Sequence, residues 1–308
     1  MGRLILRRLA IYPVVLIFAN FFGFAYAYYL GPIQAVRNPY SIGGIQIPPL
    51  FPAYLAYLKA ALAFDFGVMP QGEPIATAVM KASAASLGLL GLAILASVLV
   101  GLPLGIRAVR VSPPKVSGWL TAMVTLGLAT PSYYIGILLI AFSVIYVIWG
   151  PGKVPVFPFQ GFGWDAHLVL PTLALMALPM VRIAQISSGM LFGEMGKQYV
   201  VAARSFGNTV QTVRRRHAFR NILAAVVITI AASLRLMVAE LIIVERLFDW
   251  PGFGRLFSST IILTSRTDNF LFPPLVAALM TVLAAFFLLI DLFSAVFVRV
   301  FDPRQAQA

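Results

Sequence analysis

Apolar and polar positions alternate in long blocks along this chain. Six apolar runs extend roughly from Leu9 to Leu30, Thr77 to Leu102, Trp119 to Trp149, Leu168 to Ile186, Leu223 to Val244 and Leu271 to Val298. Each is near or above the roughly 20 residues that a helix needs to cross about 30 Å of hydrocarbon. The pattern predicts an all-α polytopic membrane protein with six transmembrane helices. The third run holds Pro131 in its middle, which predicts a kinked or tilted helix. The fourth is short, with Pro171 and Pro179 near its ends. The first run has a second reading as a signal peptide, since Arg3, Arg7 and Arg8 precede it and Ala25-Tyr26-Ala27 resembles a cleavage site. Its length, the Tyr12, Pro13 and Asn20 within it, and the membrane protein that follows favour an uncleaved first helix.

Composition agrees. Of 308 residues, 60% are hydrophobic and 11% charged, with a mean hydropathy of +0.92. A soluble domain carries about 25% charged residues, so a soluble fold is excluded. With no Cys there is no disulfide framework, thiolate nucleophile or Cys-ligated metal. The net charge of +13 has its plainest explanation in cytoplasmic loops held against anionic lipid rather than in nucleic acid, which is excluded as a partner. Fifteen Lys and Arg, Arg182 among them, fall on the side of the termini and six on the other. The positive-inside rule therefore places both termini in the cytoplasm. The chain reads as one membrane domain. Residues 1–76 form the first helix and an external segment, 77–298 a five-helix core with a cytoplasmic loop at 190–222, and 299–308 a cytoplasmic tail. Within the external segment, "YLAYLKAALAFDFG" has a helical apolar pattern suited to the outer surface.

The stretch "KQYVVAARSFGNTVQTVRRRHAFRN", residues 197–221, is polar, basic and free of acids. Tyr199, Ala202, Ala203 and Phe206 recur at helical spacing. Gly207 can adopt the left-handed conformation that ends a helix, and Asn208 or Thr209 can cap the next. A basic anchor on lipid explains Arg214 to Arg216. A helix presenting Tyr, Ala and Phe to a partner's groove explains the apolar stripe. On these residues alone both readings stand.

A resemblance separates them. "YVVAARSFG" followed by "RRRHAFRN" resembles the EAA loop of ATP-binding-cassette importer permeases, and is most similar to the B-type subunit of the dipeptide/oligopeptide/nickel family. Tyr199, Ala203, Arg204, Gly207, His217, Ala218, Arg220 and Asn221 stand at matching places. "VERLFDWPGFGRL" resembles a second family block through Glu245, Phe248, Trp250, Pro251, Gly252, Gly254 and Arg255, and "ATPSYYIGILL" and "LPTLAL" match in order. Ala202 and Phe206 replace a Thr and a Lys, Ala225 stands where a Pro is expected, and Glu194 is offset from the Glu that names the loop. The resemblance implies a type I importer permease fold in the inner membrane of a prokaryote, pairing with a second, related but distinct permease. It implies two cytoplasmic ATPases coupled through Tyr199, Ala202, Ala203, Arg204, Phe206 and Gly207, with His217, Arg220 and Asn221 structural in the loop. An extracytoplasmic binding protein delivers the solute, a peptide, with nickel or an oligosaccharide as alternatives. Glu245, Trp250, Pro251, Gly252 and Gly254 fall in a loop on the outer side, suited to a tight re-entrant turn. The chain has no G-x-x-x-x-G-K-[ST] phosphate loop, so ATP and Mg belong to the partner subunits, and this chain needs no cofactor.

Arg235, Glu240 and Asp291 fall within spans. An intramembrane charge costs roughly 2.5–3.5 kcal/mol on insertion scales and normally faces a bundle interior or water. Arg235 and Glu240 are therefore candidates to line the translocation path, against the alternative of a helix-bridging ion pair. A secondary transporter or channel built on these charges is the competing function. No catalytic set and no metal site are expected: Ser187 and Ser188 lack a His or Asp to activate them, and His167 and His217 are far apart.

Overall fold

The computed structural model describes residues 2–36, 49–111, 114–150, 154–262 and 271–301. Among them six helices are long and apolar enough to cross a membrane, at Ala10–Gly31, Ile75–Ala108, Ser132–Trp149, Ala166–Met195, Val210–Leu247 and Pro273–Phe297. The residues group into two compact units, Met1–Ser86 with Pro251–Leu289, and Leu87–Trp250 with Ile290–Ala308.

The first unit contains α1 (Gly2–Val36), α2 (Leu50–Leu62), the start of α3 (Ile75–Ala108), α10 (Phe253–Ile261) and most of α11 (Pro273–Phe301). Met69, Ile75, Phe253, Leu275 and Leu279 form one buried cluster. Ser86 Oγ accepts the Phe253 amide hydrogen at 2.7 Å, which satisfies a donor at the start of α10. A second cluster is aromatic. Phe21 and Phe24 of α1 pack on Tyr54 of α2, and Phe24 also stacks on Tyr57 at 5.1 Å. The apolar pattern around residues 54–67 thus lays α2 against a membrane-spanning helix rather than free on the surface.

The second unit is organised around α6 (Val169–Met195), which packs against α4 (Gly118–Ala129), α5 (Ser132–Trp149) and α9 (Phe219–Leu247). α3 approaches α6 closely. A Cβ at Gly101 would lie 2.4 Å from the Met180 carbonyl oxygen, and one at Gly105 would lie 2.6 Å from that of Ala184, so only glycine lets the backbones meet.

The third apolar run is two helices, not one kinked helix. Pro131 brings no amide hydrogen and forces its predecessor out of the helical region; Thr130 is extended at φ −108, ψ 113. α4 ends there, and Pro131 caps the start of α5, which alone is long enough to span. The fourth run is longer than its hydropathy suggests, because α6 continues to Met195 with Pro179 inside it. Arg182 therefore lies at the middle of a spanning helix, not in a cytoplasmic loop. The basic excess on the side of the termini becomes fourteen against six.

Candidate functional site

The polar stretch folds into α7 (Gln198–Ser205), a turn, α8 (Val210–Val213), a π-helical turn at Arg214–Ala218, and α9. The end of α7 is a Schellman motif. The Gly207 amide donates to the Arg204 carbonyl at 3.0 Å and the Asn208 amide to that of Ala203 at 3.3 Å, with Gly207 at φ +80. The side chain of Asn208 donates to the same Ala203 oxygen. Thr209, rather than Asn208, caps the following helix by accepting from the Thr212 amide at 3.2 Å.

A Cβ on Gly207 meets nothing within 4 Å, so a substitution there costs only what its left-handed backbone imposes. That strain is about 1–2 kcal/mol for an L side chain. Gly207→Val is expected to speed hydrogen exchange of the α7 amides about tenfold, and Gly207→Asn, which tolerates this conformation, to recover most of the protection.

α7 has two distinct faces. Tyr199, Val200 and Ala203 turn inward onto Leu191, Met195, Val213, Ala218 and Ile222. Val201, Ala202, Arg204, Ser205 and Phe206 are exposed, Val201 at 68% and Phe206 at 86%. The apolar stripe expected from the sequence is thereby divided. Tyr199 and Ala203 hold the helix down, and the face open to a partner is Val201, Ala202 and Phe206.

A carboxylate that the sequence motif did not assign secures the inner face. Glu194, 8% exposed at the end of α6, pairs with Lys197 through Oε1. Its Oε2 accepts from the Tyr199 hydroxyl at 2.7 Å and from the Asn221 amide at 3.0 Å. α6, α7 and α9 are tied at one oxygen. Burial first, and then the hydrogen bond to and charge of Glu194, push the Tyr199 phenol up to about 12. Its signal in the sequence is isolation, as Glu194 is the one acid between Asp165 and Glu240, in a region rich in Arg.

The remaining loop residues separate. Asn221 serves the Glu194 network. His217 and Arg220 are exposed. His217 lies in the π-helical turn. Arg204, Arg215, Arg216 and Arg220 are all exposed, so the loop turns its positive charge outward.

Arg235 and Glu240 do not form one site. Five positions apart on a helix, they point about 140° away from each other. Arg235 donates to Asp291 Oδ1 of α11 at 2.8 Å. Glu240 instead lines a small cleft between α6 and α9 with Arg182, Ser233, Leu178 and Met237. Arg182 Nε, Ser233 Oγ and Glu240 Oε2 are all buried there without a partner among the described residues.

In the second motif block, Glu245 and Trp250 are fully buried. The Trp250 amide donates to the Glu245 carbonyl at 2.8 Å across a turn made by Asp249 at φ +56. The turn thus rests on Asp249, not on the glycines: Gly252 is extended and begins α10. Trp250 packs edge-on against Phe162 and Trp164 at 4.7 and 6.0 Å. Pro251 is exposed; Gly252 and Gly254 are buried.

Residues 97–307 match the model of a protein family described as binding-protein-dependent transport system inner membrane component. Over 262 residues the chain is 25% identical to an oligopeptide transport system permease protein, AppB, of Bacillus subtilis, covering 83% of this chain and 80% of that one. It is 27% identical over 280 residues to a peptide transport system permease protein, SapB, of Salmonella typhimurium, covering 81% and 83%. It is 26% identical over 280 residues, covering the same shares, to a putrescine export system permease protein, SapB, of Escherichia coli. Among solved structures, an inward-facing form of the MetNI methionine ABC transporter superposes with a TM-score of 0.58 at 16% identity, over 75% of this chain and 99% of that one. At that identity the likeness concerns the fold.

Proposed function

We propose, for a chain that belongs to the family of binding-protein-dependent transport system inner membrane components, that it forms half of a peptide-conducting pathway and is driven through α7. It is a multi-pass protein of the inner membrane and a permease subunit of an ATP-binding-cassette importer, with ATP hydrolysis left to separate subunits. In the proposed assembly a related, distinct permease completes the pathway, two ATPases binding ATP and Mg sit beneath it, and an extracytoplasmic protein delivers the solute. Both termini and α7 then face the cytoplasm, in keeping with the excess of Arg and Lys there.

The observation that carries this reading is the two-faced α7. Its inner face is fixed by Glu194, its end is fixed by Gly207, and its outer face offers Phe206 to water. An interfacial lipid anchor needs no such fixed turn. Helix-in-groove recognition does, because a preorganised anchor loses little entropy on docking. The relatives named for peptide transport support a peptide as solute; the one named for putrescine export shows how far solutes diverge at this identity. Within the spans, Arg182 and Glu240 support the path better than Arg235 and Glu240. Arg235 is taken up by Asp291, whereas Arg182 Nε and Glu240 Oε2 are buried without a partner among the described residues.

The test is purification of the tagged chain from its own membranes, identification of its companions, and uptake by the reconstituted assembly. A second permease, ATPases and ATP-dependent dipeptide uptake, lowered by Glu240→Gln without loss of basal ATP hydrolysis, are the expected results. A chain recovered only with itself, in nanodiscs as in detergent, would return the charged residues to a secondary carrier. Uptake of nickel or an oligosaccharide instead would keep the importer and replace the solute.

A further inference from the structure

Asn20 is a lone amide in the apolar body of α1, and its partners show where α2 sits. Its Oδ1 accepts from the Tyr54 hydroxyl at 3.2 Å. Its Nδ2 faces the Tyr57 hydroxyl at 3.3 Å and donates to Thr281 Oγ1 of α11 at 3.0 Å. Arg8 is the last charge before this stretch and marks one membrane boundary. Asn20 lies twelve residues further on, about 18 Å along the helix. In a hydrocarbon layer of about 30 Å that is beyond the midplane, in the leaflet opposite the N terminus.

The ring contacts give the direction of α2. Phe51 lies against Phe21 at 6.1 Å and Tyr57 against Phe24 at 5.1 Å, so α2 runs parallel to α1 and begins at the level of Phe21. Its charges agree with that depth. The helix carries none from Leu50 to Leu58; Lys59 follows, about 12 Å above Phe51, where the far membrane surface falls, and Asp65 lies beyond it.

A helix that starts in hydrocarbon must deal with its orphan amide hydrogens. α2 has no side-chain cap; instead Pro49 precedes its first residue and Pro52 is its third, and neither has an amide hydrogen to leave unpaired. With Tyr54 turned onto α1, one flank of α2, about 60–100° round from it, shows Phe51, Leu55 and Leu62, all exposed.

We propose that α2 is a re-entrant helix. It starts inside the bilayer in the leaflet opposite the N terminus, is pinned there by Asn20, and presents Phe51 and Leu55 to lipid acyl chains. This goes beyond the transport reading and needs no transport to test. The chain has no cysteine, so single-cysteine variants of Phe51, Leu55, Leu62 and Phe64 carry a spin label at one site each. All four side chains are exposed, and replacing Phe51 removes only its ring contact with Phe21 while the Tyr54 and Tyr57 contacts with α1 stay. The full chain is reconstituted in bilayers and collisions with oxygen and with a water-soluble nickel chelate are compared. The ratio of oxygen to nickel collisions is expected to be severalfold higher at residues 51 and 55 than at 64, with 62 between. Equal nickel access at 51 and 64 would overturn the insertion. Positions 51 and 55 closed to both reagents would mean that protein covers this face, and would overturn lipid as its occupant.

Discussion

Phe206→Asp is expected to lower ATP-driven uptake by about 30-fold or more while the chain inserts and folds as before. Phe206 is 86% exposed and lies at the C-cap of α7, outside the packed cluster, so the substitution removes little from the chain itself. In a partner's groove the ring contributes about 1.5–3 kcal/mol by burial. An aspartate in its place must also be desolvated, which raises the loss beyond about 2 kcal/mol, or roughly 30-fold in affinity. Arg204 beside it does not offset this, being exposed and screened. Phe206→Leu keeps most of the apolar area and is expected to retain uptake. The measurement is paired: uptake by reconstituted vesicles, and the amount of ATPase retained on the tagged permease. Unchanged values for Phe206→Asp would move the docking surface away from α7.

Glu194→Ala acts from the other face. It removes the oxygen shared by Tyr199 and Asn221 and leaves a phenol and an amide in a half-buried setting without their acceptor. Hydrogen bonds to a charged group contribute about 1.5–3 kcal/mol each. The Lys197 pair adds under about 1 kcal/mol, because the lysine side chain is 58% exposed. A local loss of about 3 kcal/mol is expected, read as roughly 100-fold faster hydrogen exchange across residues 198–206 and faster tryptic cleavage after Arg204. Uptake falls with it, while the spans keep their protection. If α7 exchanged no faster in Glu194→Ala, the anchoring role assigned to this carboxylate would be wrong. The pH dependence has a definite sign. Tyr199 has its proton affinity raised in the fold, so the stability of its bond to Glu194 is fully present below the ordinary phenol pKa of 10.0 and is lost as pH rises through about 12. α7 therefore stays anchored at every physiological pH.

Much of this protein was legible along the chain. The number of spans was, because a hydrocarbon layer imposes length and composition on each helix by itself, though the third is Ser132–Trp149 alone. The glycine stop after Phe206 and the helix before it could be read from local spacing, as could the absence of a phosphate loop. Three features could not. Pro131 separates two helices instead of bending one; a proline can do either, and here Thr130 before it is fully extended. Tyr199 and Ala203 share the spacing of Ala202 and Phe206, and which of them faces the partner depends on the cluster around Val213 and Ile222. The partners of the intramembrane charges exchanged: Arg235 met Asp291, and Glu240 met a cleft shared with Arg182.

The reason is the range of the forces involved. Hydropathy, helix stops and caps act over a turn or a span, so neighbouring residues decide them, and the chain alone specifies a six-span membrane protein with a basic loop carrying a short helix; the permease reading came from the resemblance of its motif blocks to a family. Shared carboxylates, the anchoring of α2 on Asn20 and ion pairs join residues 27, 34 or 56 positions apart. Their choice is made by which helix faces come within about 3 Å of one another. Only the tertiary structure brought Glu194 beneath Tyr199 and Asn20 beside Tyr54.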